Sequence, residues 1–292
     1  MPWLQLIINS DRQSAESIED ALLDAGAASV TFEDNADEPI LEPALGETPL
    51  WRQTRVTGLF DAGTDTAAVD SFLRQQLPGA SFDGRWSPLE DRDWEREWMK
   101  HYQPIRCGER LWICPSWIEP PEHQAVNLML DPGLAFGTGT HPTTSLCLQW
   151  LDSLELAGKT VTDYGCGSGI LAIAALLLGA SRANCVDIDP QALTATHDNA
   201  RRNQLSPERL PVFLPERAPA EPTDLVLANI LAGPLVDLAP TLAALTNPGG
   251  RLCLSGLIES QAEEVMANYA RWFDFERPAQ REEWVRLTAV KR

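Results

Sequence analysis

VTDYGCGSGIL, at residues 161–171, predicts a buried strand, a glycine turn and the start of a helix. The glycines alternate at 165, 167 and 169, and residues 170–178 are almost wholly apolar, as in a helix packed on a sheet. Glycine suits such a turn because it adopts positive φ at little cost and lets a ligand lie against the main chain. The segment therefore predicts a ligand of the nucleotide type.

The spacing of the glycines narrows the class of ligand. Folds that hold a dinucleotide pyrophosphate use G-x-G-x-x-G, whereas this loop is G-x-G-x-G with Asp163 two positions before its first glycine. We therefore expect no pyrophosphate. A second acid, Asp187, ends the short apolar run 183–186 and lies about 20 residues beyond the loop, where a carboxylate can bind both hydroxyls of a ribose. Loop and acid together predict a nucleoside.

Length and composition limit the class of protein. A chain of 292 residues with 44% hydrophobic residues is long enough for two packed domains. The start lacks the basic and apolar segments of a signal peptide, and no stretch approaches the roughly 20 apolar residues of a membrane span. The six cysteines form no C-x-x-C pair and have no histidine at zinc spacing. We therefore expect a cytoplasmic monomer with reduced thiols, no metal and no membrane contact.

The charge argues against nucleic acid as a direct partner. The formal net charge is -19, and we find no basic patch that could follow a phosphate backbone, so we expect no sequence-specific nucleic-acid binding. Acidic residues are concentrated in residues 1–87, which carry 15 Asp and Glu against 5 Arg. That surface suits a basic partner or simply keeps the protein soluble, and charge alone does not separate the two.

Residues 1–87 predict a small domain. Strands at 3–8, 30–33, 51–60 and 80–86 and helices at 14–25 and 66–76 give the order β-α-β-β-α-β, which suggests an α+β ferredoxin-like fold. We expect this domain to bind a partner. Residues 88–103 predict a charged helical linker, in which Trp94 and Trp98 lie one turn apart and favour anchoring to a neighbouring domain over an exposed aromatic platform. The linker permits either a hinge or a rigid interface.

Residues 104–292 predict a second domain of the α/β class. Strands and helices alternate beyond the glycine loop, with helices at 190–203, 235–245 and 265–272, a turn at 248–250 and a final antiparallel pair of strands. This order predicts a doubly wound, seven-stranded Rossmann-like sheet. Ligands of such sheets bind beyond the carboxyl ends of the strands, and Gly165, Asp187 and Asn229 follow three different strands.

A second unusual loop precedes this sheet. DPGLAFGTGTHPTT, at residues 131–144, combines glycines and hydroxyl groups and predicts a lid over a small molecule. We expect Thr143 or Thr144 to cap a helix that begins near Ser145. His141 is a candidate base, but a histidine beside a proline is equally compatible with a structural role.

Four segments together resemble the PrmA family, methyltransferases of large-subunit ribosomal protein eleven. They are AFGTGTHPTT at 135–144, DYGCGSG at 163–169, VDIDP at 186–190 and ANIL at 228–231. The glycine loop also resembles motif I of the class I, seven-stranded S-adenosylmethionine-dependent methyltransferases, in which the preceding acid accounts for a cationic ligand group. The likeness covers the whole chain, including the small N-terminal domain that recognises the substrate protein in this family.

The resemblance implies S-adenosylmethionine as cofactor, S-adenosylhomocysteine as product and no metal. It implies methyl transfer to lysine side chains and to the N-terminal amine of that ribosomal protein, up to trimethylation. Position within the motifs implies that the cofactor is bound by Thr144, Asp163, Gly165, Gly167, Gly169, Asp187 and Asn229. The candidates on the acceptor side are Phe136, Thr138, His141 and Asn229, and no catalytic base is assigned.

The segment after the fourth strand favours an amine acceptor. Methyltransferases of planar amide or adenine nitrogens share an Asn-Pro-Pro-Tyr-like element that grips a flat group, whereas this chain has Asn229-Ile230-Leu231-Ala232. A free lysine amine has a pKa near 10.4 and is almost fully protonated at neutral pH. Desolvation would lower that pKa and water could remove the proton, so positioning supplies most of the acceleration.

Two other functions fit the sequence. One is a methyltransferase of RNA or of a small molecule, although the acidic N-terminal domain disfavours RNA. The other is a non-catalytic protein that senses S-adenosylmethionine or holds a ribosomal protein. That function predicts cofactor binding without any S-adenosylhomocysteine production.

Overall fold

The computed structural model describes residues 3–36, 49–77, 84–89, 102–131, 137 and 139–292. The chain divides into two compact units, Met1–Met99 and Lys100–Arg292. The domain boundaries 1–87, 88–103 and 104–292 stay predictions, and most of the predicted linker helix, residues 90–101, lies outside the described residues. Within the described ranges, no helix combines the length and apolar character needed to cross a membrane.

The first unit has the predicted order of elements, β-α-β-β-α-β. Its elements are β1 Trp3–Asp11, α1 Ala15–Asp24, β2 Ser29–Asp34, β3 Gln53–Asp61, α2 Thr66–Gln76 and β4 Gly84–Leu89. The strands form an antiparallel sheet in the order β2-β3-β1-β4. Alternate residues of β1 and β3, such as Leu6 and Val56, are buried against Leu22 of α1 and Leu73 of α2. The ferredoxin-like classification stays a prediction.

The second unit begins with a small three-stranded sheet. Its strands are β5 Ile105–Cys107, β6 Leu111–Cys114 and β7 Val126–Met129. β6 is central, antiparallel to β5 and parallel to β7. Ile113 and Leu128 point into the main core of this unit. The small sheet therefore fixes the start of the glycine-rich lid that follows β7.

The rest of the second unit is a doubly wound α/β sheet, which confirms the predicted fold class. The helices are α3 Pro142–Asp152, α4 Ile170–Leu177, α5 Pro190–Arg202, α6 Ala232–Asp237, α7 Ala239–Ala244 and α8 Ala262–Tyr269. The strands are β8 Thr160–Tyr164, β9 Arg182–Val186, β10 Val212–Phe213, β11 Thr223–Asn229, β12 Thr246–Ile258, β13 Phe273–Phe275, β14 Ala279–Arg281 and β15 Trp284–Lys291.

Seven strands of this sheet follow the order β10-β9-β8-β11-β12-β15-β13, and β14 adds an eighth strand that pairs with β15. The strands from β10 to β12 are parallel, whereas β15 is antiparallel to β12, β13 and β14. β15 therefore runs back between β12 and β13. Its first residues lie at the edge of the sheet where the parallel strands end.

Both faces of the sheet are buried, as its continuous apolar strands require. In β11, Leu225 and Leu227 pack into a core with α4, whereas Val226 and Ala228 pack into a second core with α6, α7 and α8. Alternate side chains of a strand point to opposite faces, so one uninterrupted apolar run supplies both cores. All six cysteines are buried and free of disulfides.

Two local predictions in this unit are wrong. The helix expected at 235–245 is divided into α6 and α7, because Pro240 has no N–H to donate and is tolerated only in the first turn of a helix. The turn expected at 248–250 lies inside the long strand β12. There the pairing with β11 shifts register between Thr223 and Leu225, and Gly249 has φ 74°, so the chain bulges without leaving the sheet.

Candidate functional site

The glycine loop between β8 and α4 requires glycine for two physical reasons. Gly165, Gly167 and Gly169 have φ of 78°, 53° and 77°, a region that other residues adopt at a cost. A Cβ on Gly165 would lie 2.2 Å from Cγ2 of Ile230, and one on Gly169 would lie 2.8 Å from Cγ2 of Thr196. Neighbouring side chains therefore occupy the space that a larger residue would need.

Asp187 and α5 hold this loop from one side. One oxygen of the Asp187 carboxylate accepts a hydrogen bond from the N–H of Gly167 at 2.8 Å, and the other accepts from the N–H of Asp189 at 3.0 Å. From α5, Thr196 donates to the carbonyl of Gly167 at 3.0 Å and Asn199 donates to that of Ser168 at 2.8 Å. Each carboxylate oxygen can accept a further bond, so Asp187 still offers acceptors to a ribose.

Asp163 lies beneath the glycine loop and does not line the cavity described below. Its side chain is 1% exposed, and its Oδ2 accepts a hydrogen bond from the N–H of Ala172 at 3.1 Å. Burial raises the pKa of Asp163 to about 7, an effect that the Ala172 bond opposes and the Asp187 charge reinforces. The structure therefore places this acid as a support of the loop and of the start of α4.

The raised pKa of Asp163 predicts a specific pH dependence of stability. The folded protein binds more protons than the unfolded chain between about pH 4 and pH 7, so its free energy of unfolding falls as pH rises through that window. Asp163→Asn keeps the acceptor for Ala172 but does not titrate. We expect the mutant to gain about 2–4 kcal/mol relative to wild type from pH 4 to above pH 7. Urea unfolding across that range measures the difference.

Other titrating groups cancel in this comparison because the two proteins share them. Parallel pH profiles for wild type and Asp163→Asn would contradict the raised pKa. Asp198→Asn is a matched control, because Asp198 lies on α5 with a side chain 56% exposed. This control shows how far the loss of one carboxylate changes stability by itself.

The described part of the lid is attached to the glycine loop. Ser168, a residue of that loop, donates its hydroxyl to the carbonyl of Gly137 at 2.7 Å, and the bond is buried. Gly139 has φ 87°, and a Cβ there would lie 2.3 Å from Cδ1 of Ile113 in β6. Lid, glycine loop and small sheet therefore meet at one place. The acceptor-side candidates Phe136 and Thr138 lie outside the described residues.

The helix after the lid begins earlier than predicted. Pro142 occupies the first turn of α3 and His141 is the residue that caps it, so neither Thr143 nor Thr144 is the cap. Nδ1 of His141 accepts a hydrogen bond from the N–H of Thr143 at 3.4 Å and lies 2.8 Å from its hydroxyl. Proline favours the first helical position because its fixed φ is already helical and its missing N–H is not needed there. The prediction of a start near Ser145 is wrong.

His141 has a structural role that the sequence left open. Its ring packs edge-on to that of Trp284, with centroids 4.8 Å apart. Burial lowers the pKa of His141, while the charges of Glu282 and Glu283 partly raise it. A neutral ring with Nδ1 as acceptor supports the start of α3, and a role as base stays untested.

Asn229, at the end of β11, presents an unused hydrogen-bond acceptor. Its Nδ2 donates to the hydroxyl of Thr144 at 3.3 Å, and Thr144 is 0% exposed. Its Oδ1 is buried and has no hydrogen-bond partner among the described residues. Leaving such an acceptor unpaired costs about 1–3 kcal/mol, so the site favours a ligand that donates an N–H or O–H here.

These elements surround a cavity of about 470 Å³ at the carboxyl ends of the parallel strands. That volume lies in the range of roughly 300–1,000 Å³ typical of small-molecule sites. The predicted site residues that line it are His141, Gly165, Gly167, Asp187 and Asn229. Thr144, Asp163 and Gly169 support it without lining it. No group of three potential metal ligands occurs in the described part of the chain.

Several residues that line the cavity were not predicted from the sequence. Ile188 is 81% exposed between two aspartates and Leu231 is 47% exposed, so both offer apolar surface at the cavity. For Ile188, the local signal was an apolar residue directly after Asp187, itself a predicted site residue. Gly256 and Trp284 come from β12 and β15, and their distance from the glycine loop in the sequence left no local signal.

A family model and two related proteins match this chain over almost its whole length, and a solved structure matches part of it. The family model described as "Ribosomal protein L11 methyltransferase (PrmA)" matches residues 2–292. Proteins named ribosomal protein L11 methyltransferase from Cellvibrio japonicus and Teredinibacter turnerae are 62% and 59% identical, covering 100% of this chain and 99% and 98% of theirs. A crystal structure of a ribosomal protein L11 methylase from Lactobacillus delbrueckii subsp. bulgaricus is similar, with a TM-score of 0.57 and 32% identity over 65% of this chain and 99% of that one.

Proposed function

This chain belongs to the family of ribosomal protein L11 methyltransferases (PrmA), and we propose that it methylates amines of that ribosomal protein, namely lysine side chains and the N-terminal amine, up to trimethylation. It is an S-adenosylmethionine-dependent protein methyltransferase. The proposal concerns the nitrogen that accepts the methyl group and the number of methyl groups it receives. A cytoplasmic location and a monomeric state belong to the same proposal.

The residues of the cavity fit S-adenosylmethionine. The bare main chain at Gly165 and Gly167 permits close approach of the nucleoside, and the Asp187 carboxylate has acceptors left for the ribose hydroxyls. Ile188 supplies apolar surface beside them. When bound, the cofactor supplies an electrophilic methyl group on sulfur. The protein supplies the positions of donor and acceptor.

The unpartnered Oδ1 of Asn229 is the observation that carries the proposal of an amine acceptor. It can accept an N–H from an incoming ammonium or amine and so aim the nitrogen toward the cofactor. The hydrogen bond from its Nδ2 to the buried Thr144 keeps the amide from rotating. Ile230 and Leu231 follow, in place of the rigid Pro-Pro-Tyr that would clamp a planar nitrogen.

The proposed chemistry needs no dedicated base. The mostly apolar walls of the cavity, among them Ile230, Leu231 and Pro234, favour the neutral amine over the ammonium because they exclude water from the charge. A proton lost to water before transfer leaves a lone pair on nitrogen. Once the amine is aligned, proximity accounts for most of the acceleration.

The test is methylation of the purified ribosomal protein. We expect the chain with S-adenosylmethionine to increase the intact mass of unmethylated ribosomal protein L11 in steps of one methylene, and peptide mapping to place the methyl groups on lysines and the N-terminus. An Asp187→Ala variant serves as the inactive control. Methylation of amide nitrogens alone, or cofactor binding without any mass gain, would contradict the proposal and favour another acceptor or a sensor.

A further inference from the structure

The cavity extends past the cofactor-binding residues toward the hairpin of β14 and β15. Asp187 follows β9, Asn229 ends β11, and Trp284 begins β15. Neighbouring strands of a sheet are about 4.8 Å apart. Four such steps separate β9 from β15, so Trp284 lies roughly 19 Å across the sheet from Asp187. Two steps separate β11 from β15, so Trp284 lies roughly 10 Å from Asn229. Trp284 therefore lies on the acceptor side.

This end of the cavity is aromatic. The rings of His141 and Trp284 line it and are in edge contact, with their centroids 4.8 Å apart. The face of an aromatic ring attracts a cation, and grouped rings bind quaternary ammonium groups. Glu282 and Glu283 form the exposed turn directly before Trp284 and add negative charge to the same end.

We propose that Trp284, with His141, forms an aromatic subsite that holds the acceptor nitrogen and retains it as its N–H groups are replaced by methyl groups. This inference rests on the proposed function and adds the residues that make repeated methylation possible. Asn229 orients the nitrogen by a hydrogen bond, and the rings attract the positive charge that the nitrogen gains as each methyl group is transferred.

The chemistry of repeated transfer explains why both kinds of contact are needed. In each round the lone pair of the amine forms a bond to the methyl carbon, the carbon–sulfur bond breaks, and sulfur keeps its electron pair as S-adenosylhomocysteine. The new ammonium must lose a proton to water before the next round. Each round also removes one N–H that Asn229 can accept, and the quaternary product has none. Attraction to an aromatic face does not depend on N–H groups.

The first test compares two variants of the full chain. Trp284→Phe keeps an aromatic face, whereas Trp284→Leu keeps apolar bulk without one. With unmethylated ribosomal protein and S-adenosylmethionine, we expect Trp284→Leu to lose about tenfold in the rate of the third methylation and to accumulate mono- and dimethylated protein. Trp284→Phe should stay within about threefold of wild type in that step. Time courses of peptide mass spectra resolve the mono-, di- and trimethylated forms of each amine and give the three rates, and calorimetry gives the cofactor affinity.

A second test does not need the ribosomal protein. The chain is labelled with 5-fluorotryptophan and bound to S-adenosylhomocysteine, and Trp284→Phe identifies the Trp284 signal in the ¹⁹F spectrum. Tetramethylammonium should shift that signal saturably, whereas 2-methyl-2-propanol, a neutral molecule of similar size, should need at least about tenfold higher concentration.

The outcomes are distinct. Equal rates of third methylation in Trp284→Leu and Trp284→Phe would overturn the inference, as would a Trp284 signal that does not respond to tetramethylammonium. A loss of affinity for S-adenosylmethionine but not for S-adenosylhomocysteine in Trp284→Leu would also overturn it, because the ring would then serve the sulfonium. If the wild type binds tetramethylammonium at Trp284 but leaves the ribosomal protein unmethylated, the subsite stands and the proposed function fails.

Discussion

Gly165→Ala is expected to abolish measurable binding of S-adenosylmethionine and to lower the free energy of unfolding by about 2–5 kcal/mol. The new Cβ would lie 2.2 Å from Cγ2 of Ile230, and residue 165 would keep a φ of 78° that alanine adopts only with strain. Relief of the clash would move either the glycine loop or the segment after β11, and both line the cavity. Calorimetric titration and urea unfolding measure the two effects.

Gly158→Ala is the matched control for this prediction. Gly158 has a comparable φ of 72°, but nothing lies within 4 Å of the Cβ position. The control therefore carries the strain of the backbone without the clash, and we expect it to bind the cofactor as wild type does and to lose about 1–2 kcal/mol of stability.

The double variant Gly165→Ala, Ile230→Ala removes the side chain that the new Cβ would meet, so it should recover part of the cofactor binding. Cofactor affinity of Gly165→Ala within about tenfold of wild type would show that this loop does not hold the nucleoside.

Asp187→Ala is expected to reduce affinity for S-adenosylmethionine by at least about 100-fold. The substitution removes the acceptors offered to the ribose and also the hydrogen bond that fixes the N–H of Gly167. Hydrogen bonds to a charged group contribute about 1.5–3 kcal/mol each, so two such losses account for that factor. Calorimetric titration with S-adenosylmethionine and with S-adenosylhomocysteine should give similar losses, because both carry the ribose.

Two further variants separate the causes. Asp187→Asn keeps an oxygen that can accept from Gly167, so it should lie between wild type and Asp187→Ala. Asp198→Ala removes an exposed carboxylate of α5 that does not line the cavity, and this variant should bind the cofactor normally. If Asp187→Ala bound the cofactor within about twofold of wild type, neither the ribose contact nor the anchoring of the loop would be correct.

Most of the cavity near the glycine loop was predictable because its sequence signals are local. A strand, three alternating glycines and an apolar helix follow one another within residues 160–177, and Asp187 follows at the spacing of the next strand. Such short-range order fixes which residues reach the carboxyl edge of a parallel sheet. Asp163 and Thr144 do not line the cavity, because both are buried, the first with a hydrogen bond from Ala172 and the second with one from Asn229, and the local sequence does not reveal these contacts.

Local rules also account for the errors. The first error concerns the start of α3. The hydroxyls of Thr143 and Thr144 suggested a cap, whereas Pro142 occupies the first turn and His141 caps the helix. The second error concerns residues 235–245, whose apolar pattern is helical throughout although Pro240 divides the segment into two helices. In both places a proline outweighs the pattern around it, because a missing N–H and a fixed φ are absolute constraints while propensities are small.

The sequence by itself determined the class of fold, the glycine loop and the position of Asp187 after the next strand, since each depends on spacing within a few dozen residues. Tertiary structure alone decided which residues line the end of the cavity at β15. β15 runs antiparallel between β12 and β13, and that pairing brings Trp284 to the edge where Gly165 follows β8 and Asn229 ends β11. Pairing of distant strands follows from burial of the whole sheet, a property of the complete chain that no local pattern contains.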